Sequence, residues 1–327
     1  MKTQQDSPSG KGGSGPLLEI RGLKKYFPVK GGVFMRTRAQ LKAVDDVSLT
    51  VQPGETLGLV GESGCGKSTL GKCVCRLHDP TEGAVVFKGT DITRLRRKAL
   101  KPYRRDIQMI FQDPAESLNS RHSVGNILEE PLIIHGIRTS RERRKRVARI
   151  LDTVGLPAAS VDRFPFEFSG GQRQRIGIAR AISLNPELVV CDEPVSALDV
   201  SVQSQILNLM LDLQREFHLS YLFIAHDLAV VKHISDRIAI MYLGKIVELG
   251  PADEIFRNPL HAYTKALISA IPVPEPEAKR ERILLQGDVP SPIDPPPGCA
   301  FARRSWIPCS PEDLEKPGEF REVRPGP

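Results

Sequence analysis

"GLVGESGCGKSTL", residues 58–70, leaves a β-prone apolar run (TLGLV, 56–60), passes through a glycine-rich loop and enters a helix-favouring stretch. Gly61, Gly66, Lys67 and Ser68 fit the spacing G-x-x-x-x-G-K-[ST], with Gly64 inside the loop. Between a strand and a helix, that spacing predicts a phosphate-binding loop. Glycines let backbone N–H groups converge on phosphate oxygens, and the helix N-terminus adds positive potential. Lys67 neutralises phosphate charge, and the Ser68 hydroxyl suits magnesium. The whole loop, Gly61, Glu62, Ser63, Gly64, Cys65, Gly66, Lys67, Ser68 and Thr69, is the predicted nucleotide cradle.

The surrounding texture supports an α/β fold. Short apolar runs (LLEIRGL, AVVFKG, IQMIF, ELVVC, SYLFIA, IAIMYLGKIVEL) alternate with helical patterns, as in a layer with a largely buried sheet. Between Asp113 and Leu184 strand patterns give way to helix-period segments such as NILEEPLIIHG and RERRKRVARILDTVG. A helical subdomain over about 113–184 is therefore predicted as an insertion into the core of residues 17–275. Residues 1–16, rich in Gly, Ser and Lys, are predicted to be a disordered tail. From 276 to 327 the proline-rich chain predicts an extended cover on the core, not a second compact core. No internal repeat is evident.

Composition narrows the class. The 327 residues are 40% hydrophobic and 26% charged, ordinary for a soluble globular chain. No apolar run approaches the length of a bilayer span, and the N-terminus lacks the apolar stretch of a signal peptide, so a cytosolic location is predicted. Six scattered cysteines form no disulfide framework. The net charge of +7 is compatible with nucleic acid or an anionic membrane face. It concentrates in RLRRKALKPYRR (94–105) and RTSRERRKRVAR (138–149). Only one aromatic residue, Tyr103, falls within the two runs, which favours solvated helix faces over a base-stacking surface.

Three more strand patterns end in polar groups. ELVVCDEP puts Asp192 and Glu193 at the carboxyl end of a strand, where open α/β sheets bind ligands. Asp192 suits the magnesium shell, and Glu193 can orient or deprotonate an attacking water. IQMIFQDP ends in Gln112 and SYLFIAHD in His226, an amide and an imidazole placed for a γ-phosphate and its water.

FSGGQRQR (168–175) is a second phosphate-binding shape. A phosphate held by Ser169 and a few amides gains about 1.5–3 kcal/mol per charge-assisted bond, against roughly 4–15 kcal/mol for capturing a free ligand. The segment is thus a poor primary site. It makes sense closing over a nucleotide already held by another loop, either its own after folding back or that of a second subunit.

The ordered set of Gly61 to Ser68, Gln112, FSGGQ, VVCDEP, SALD (196–199) and His226 resembles the nucleotide-binding subunit of an ABC transporter over about residues 17–275. The resemblance implies a P-loop NTPase core of ABC type with an inserted helical subdomain, an N-terminal antiparallel β part and a proline-rich C-terminal extension. It implies ATP and Mg2+ as cofactors and a head-to-tail dimer in which Ser169, Gly170, Gly171 and Gln172 face the partner's nucleotide. It assigns Glu193 and His226 the hydrolytic centre and Gln112 the link from γ-phosphate to the membrane partner. Mg2+ would be held by Ser68 and Gln112, and by Asp192 through water, while Asp199 lies at the dimer interface.

GGVFMRTRAQLKAVDDVSL, FQDPAESLNSR, DEPVSALDVSVQSQILNL and NPLHAYTKALISAIPVP are similar to the F-type ATP-binding subunit of oligopeptide and dipeptide importers. That similarity implies a second nucleotide-binding subunit (a D-type paralogue), two permease subunits, an extracytoplasmic peptide-binding protein, no nucleic acid partner, and a peripheral place on the cytoplasmic face of the inner membrane. It assigns adenine stacking to Phe27, with Tyr26 the neighbouring alternative and a core aromatic the structural one. The rival function is an ABC-type ATPase acting on nucleic acid or ribosomes, but the P-loop and the SGG segment are separated by no long coiled coil, and only one nucleotide domain is present.

Two cysteine questions remain. Relatives of this type often end in a four-cysteine iron–sulfur cluster. Here GCAFARRSWIPCS (298–310) offers Cys299 and Cys309 with Ser305 at the expected second position. Two thiols fall short of the usual ligation by four cysteines, and no cluster is expected. Cys65, at a helix N-terminus, is either a reactive thiolate whose alkylation blocks ATP or an inert small filler.

Overall fold

The fold is described from a computed structural model covering residues 15–31, 36–137, 139–271, 282–293, 295, 297–315, 318 and 320–323. Residues 1–14 of the predicted tail (1–16) and residues 276–281 of the proline-rich extension (276–327) lie outside the described residues.

Two sheets carry the architecture. An antiparallel sheet takes β1 (Leu18–Gly31), β2 (Arg36–Val51), β4 (Glu82–Phe87) and β5 (Thr90–Asp91) in the order β2-β1-β4-β5. A larger sheet orders its strands β10-β9-β3-β8-β7-β6. They are β3 (Thr56–Val60), β6 (Ile107–Ile110), β7 (Leu188–Asp192), β8 (Ser220–Ala225), β9 (Arg237–Tyr242) and β10 (Lys245–Pro251). The strands from β9 to β6 are mutually parallel, and only β10 runs antiparallel to its neighbour.

Period-two alternation explains why these strands read as unbroken apolar runs. Leu188 and Val190, Leu222 and Ile224, and Ala239 and Met241 enter the core shared with the antiparallel sheet. Val189 and Cys191, Tyr221 and Phe223, and Ile238 and Ile240 enter the core on the opposite face. The first core includes α1 (Lys67–Val74) through Leu70, Cys73 and Val74. The short helices α2 (Arg97–Leu100) and α3 (Tyr103–Asp106) follow. The first basic run is therefore broken at Pro102 rather than forming one helix face, with Leu100 buried.

Helices fill the predicted insertion: α4 (Pro114–Ser117), α5 (Val124–Ile134), α6 (Ser140–Thr153) and α7 (Gly170–Ile182). In α6 only Val147 and Leu151 are buried, so most of the second basic run faces outward. On the second face lie α8 (Val200–Phe217), α9 (Leu228–Ile234), α10 (Ala252–Arg257) and α11 (Ala262–Ser269), with α12 (Pro311–Glu315) near the end of the chain. Among the described residues, the C-terminal extension packs onto the core rather than forming one of its own. Phe301 and Ala302 are buried, and Leu41 on β2 makes an antiparallel bridge to Ile293.

Gly58, inside β3, marks how closely α9 packs. A Cβ there would lie 2.2 Å from Val231 Cγ1 and 2.6 Å from Ser235 Oγ. Gly58→Ala is expected to lower the urea midpoint, destabilising the fold by about 1–3 kcal/mol as overpacking does. Unchanged urea unfolding would show that α9 yields freely.

Candidate nucleotide-binding and hydrolytic site

β3 delivers the glycine loop at its carboxyl end, and α1 carries it away. Gly66 caps α1 with φ +109°, a conformation L side chains rarely adopt, and a Cβ there would lie 1.9 Å from the Ala43 carbonyl oxygen. The loop curls around Lys67, whose buried ammonium donates to the carbonyls of Gly61 (2.7 Å) and Glu62 (3.0 Å). The loop thereby holds a positive charge where phosphate oxygens would approach. Ser68 Oγ donates to Asp192 Oδ1 at 2.7 Å. This pair of hard oxygen donors suits Mg2+. Burial pushes the Asp192 carboxyl upward, opposed by the Ser68 hydroxyl and then by Lys72.

β7 ends on Asp192, and Glu193 follows with φ +46°. This left-handed turn costs about 1–2 kcal/mol for a residue with a Cβ. It is held by the bond from Glu193 N–H to the Ile224 carbonyl at 3.0 Å. The neighbouring strand ends meet at its carboxylate. Gln112 Nε2 donates to Glu193 Oε2 at 3.2 Å, and His226 Nδ1 lies 3.1 Å from the same oxygen. Amide, imidazole and carboxylate thus converge as the sequence places them, although Gln112 and His226 come from different strands.

A cavity of about 470 Å3 joins these groups to the loop. Ser63, Gly64, Gly66, Lys67, Ser68 and Thr69 line one part, Gln112, Glu193 and His226 another, and Phe27 a third. Their partners separate Phe27 from Tyr26. The Tyr26 hydroxyl donates to Asp45 Oδ1, and burial followed by that bond raises its pKa. Phe27 presents its ring to the cavity, edge-on to His78 at 5.6 Å. Leu41 and Ala43 of β2 also line the cavity, and no motif marks them in the sequence.

Ser169, Gly170, Gly171, Gln172 and Asp199 do not border this cavity. Ser169 is exposed at the N-cap of α7, where its Oγ accepts from Gln172 N–H at 3.3 Å and Gln172 Oε1 accepts from Ser169 N–H at 3.0 Å. Asp199 caps α8 by accepting from Val202 N–H at 2.9 Å, and that bond, followed by one from Ser201, lowers its pKa. Gly171 has a packing reason as well: a Cβ there would meet Val202 Cγ1 at 2.5 Å.

Of the two readings left open for Cys65, its burial favours the inert small filler. The thiol is buried, and desolvation raises its pKa despite Lys67 nearby. Its Sγ fills the space beside Gly61. Arg304 and Tyr263 carry no signal in the sequence. Arg304 Nη1 donates to Glu62 Oε2 at 2.8 Å, and Glu62 N–H donates to the Tyr263 hydroxyl at 2.9 Å. Only the folded chain brings residues 242 positions apart together.

A glycine loop, a magnesium-type oxygen pair and a carboxylate with an imidazole neighbour define a P-loop ATPase. Comparison with known proteins places it further. Residues 44–196 match the ABC transporter family, and residues 247–308 match the oligopeptide/dipeptide transporter C-terminal region. The oligopeptide transport ATP-binding protein AppF of Bacillus subtilis (strain 168) is 54% identical, covering 94% of this chain and 94% of its own length. The dipeptide transport ATP-binding protein DppF of Haemophilus influenzae is also 54% identical, covering 89% of each. Among solved structures, the ATP-binding cassette MJ0796, dimeric in a post-hydrolysis state with ADP and Pi, has a TM-score of 0.64 at 29% identity, covering 72% of this chain and 98% of that one. The chain belongs to the ABC transporter family, among its ATP-binding subunits, and is an ABC-type ATPase. The relatives named are transport subunits, which does not support the alternative of an ATPase acting on nucleic acid or ribosomes.

Glu193→Gln keeps the hydrogen-bonding shape and removes the carboxylate expected to act as the base. It is expected to bind ATP with unchanged affinity while phosphate release falls to background. Normal phosphate release by this variant would take Glu193 out of the mechanism.

A second measurement addresses Cys65. Mass-spectrometric mapping after brief iodoacetamide treatment near neutral pH is expected to find Cys309, which is exposed, labelled first and Cys65 protected. Rapid Cys65 labelling that ATP slows would restore the reactive thiolate.

Proposed function

We propose that this chain powers a peptide importer, and that its ATP site is completed by the Ser169–Gln172 segment of a second ATPase subunit. One observation carries the reading. Lys67, Ser68, Gln112, Glu193 and His226 share one cavity, while Ser169, exposed on α7, does not border it. The second glycine segment is thus free to meet another subunit's nucleotide.

The chain's own groups have distinct tasks. Lys67 supplies fixed positive charge to phosphate oxygens, and the Phe27 ring offers a face for adenine stacking. Ser68, Gln112 and Asp192 would hold Mg2+, which would neutralise charge on the phosphate oxygens. Glu193 orients the attacking water and accepts its proton as the new P–O bond forms and the bond to the departing ADP breaks. His226, on the same carboxylate oxygen, fixes its orientation, and Gln112 carries the state of the γ-phosphate toward the membrane partner.

That partner has a place to dock. A cleft of about 1100 Å3 lies between the strand ends and the helical insertion, lined by Gln112, Glu193, Glu130, Pro131 and Ile134. Ile133 and Ile134 at the end of α5 are 55% and 54% exposed beside it, apolar area available to a permease loop. Among the described residues no helix is long and apolar enough to cross a membrane. The full assembly would be this subunit, a D-type paralogue, two permeases and an extracytoplasmic peptide-binding protein, with this chain peripheral on the cytoplasmic face of the inner membrane. Peptide is the cargo by the names of the relatives. Cys299 and Cys309 take no cluster in this proposal, since Ser305 supplies a hydroxyl, bonded to Ile307, at the position where a ligand thiol would stand.

Affinity purification from mild-detergent membranes is expected to recover two permease subunits and a second ATPase. In the recovered assembly, Ser169→Arg on the subunit facing an intact P-loop should cut turnover at that site by about a hundredfold, in the range of losing a transition-state donor. Recovery of RNA or DNA in place of membrane proteins would overturn the proposal.

A further inference from the structure

The C-terminal extension reaches the phosphate loop through Arg304 and joins Tyr263 of α11 and Lys67 of the loop in holding one residue, Glu62. Glu62, half-buried between Gly61 and Ser63, has each of its polar groups engaged. Its carboxylate receives a forked pair from Arg304, Nη1 to Oε2 at 2.8 Å and Nη2 to Oε1 at 3.3 Å. Its N–H donates to the Tyr263 hydroxyl at 2.9 Å, and its carbonyl accepts from Lys67 Nζ at 3.0 Å. The Lys67 ammonium and the Arg304 guanidinium therefore meet on one loop residue.

Behind that residue stands a rigid block. Tyr242, Tyr263 and Phe301 are fully buried, with ring centroids 4.8 Å apart for Tyr242–Tyr263 and 5.4 Å for each of the other pairs. Phe301 and Arg304 lie on one short helical turn, where Arg304 N–H donates to the Phe301 carbonyl at 2.9 Å. Arg304 itself is buried, and its Nη1 also reaches the Tyr242 hydroxyl at 3.4 Å. The extension grips the cavity from a second side as well. Lys42 N–H donates to the Pro292 carbonyl at 3.1 Å, and Leu41, bridged to Ile293, lines the cavity beside Phe27.

We propose that Arg304 is a positioning residue for ATP binding, through which the C-terminal extension preorganises the phosphate loop by fixing Glu62. This inference deepens the function proposed above and rests on the loop's role in holding ATP. A loop held before the nucleotide arrives loses less freedom on binding. A buried forked pair adds little net stability, but losing one partner strands the other charge beside the Lys67 anchor. Arg304 touches none of Gln112, Glu193 or His226, so the effect belongs to affinity rather than to the chemical step.

The test compares Arg304→Met, Arg304→Lys, Glu62→Gln and the double variant Arg304→Met with Glu62→Gln, each in the intact transporter assembly. ATP KM, kcat and the thermal midpoint without nucleotide are measured. Arg304→Met and Glu62→Gln are each expected to raise KM about tenfold, equivalent to about 1.4 kcal/mol, with kcat for Arg304→Met within about twofold of wild type. The double variant should be no worse than either single, and Arg304→Lys, which keeps the charge but not the fork, should recover only part of the loss. Unchanged KM with a lowered thermal midpoint in Arg304→Met would make Arg304 a staple for the extension and overturn the proposal. Multiplying effects in the double variant would overturn it too, because the two residues would then act independently. Should Arg304→Met fail to fold, Glu62→Gln and Arg304→Lys read the same bond from its two ends. A wild-type assembly that hydrolyses no ATP would refute the ATPase function itself, which differs from normal turnover with an unmoved KM.

Discussion

Burial of the larger sheet on both faces is the constraint from which the site follows. Strands β3, β7 and β8 are buried along their whole length, so polar side chains can stand only where the strands stop. Because these strands are parallel, they stop at the same edge. The glycine loop, the Asp192–Glu193 pair, Gln112 and His226 are therefore brought to one rim by topology alone. None of them needs its neighbours in sequence to find its neighbours in space.

Within that rim, two features run against local preference. Lys67 is buried with its charge turned onto backbone carbonyls, and Glu193 takes a left-handed turn that its Cβ disfavours. Each is stabilised from outside. The loop around Lys67 is closed by Gly66 and anchored through Glu62, and the Glu193 amide is tied to β8. Such local strain persists where the surrounding structure over-determines it. Lys67 and Glu193 are consequently held in place by the chain's own hydrogen bonds.

The same constraint decides what is legible in the sequence. The glycine loop and the strand-end carboxylates can be read because their chemistry lies within a few consecutive residues. Phe27 and Tyr26 cannot be separated because β1 slips register against β2 between Lys25 and Tyr26, so alternation does not say which ring faces the cavity. Helix position alone misleads at Cys65, since desolvation outweighs the favourable potential at a helix N-terminus. Arg304 lies beyond reach. Its partner is set by how the last part of the chain lies across the first, and nothing in residues 298–310 points to Glu62.

The second glycine segment shows how two motifs far apart in sequence are one piece of structure. Gly171 leaves no room for a Cβ against Val202, and a Cβ on Gly170 would touch Leu198 at 3.5 Å. The starts of α7 and α8 therefore pack side by side, capped by Ser169 and Asp199 respectively. One glycine is required by this contact, while the other, with Ser169, remains at the exposed helix start. Whatever meets the N-terminus of α7 must also meet the turn before α8. The SGG and SALD motifs therefore share one packed surface formed by the starts of α7 and α8.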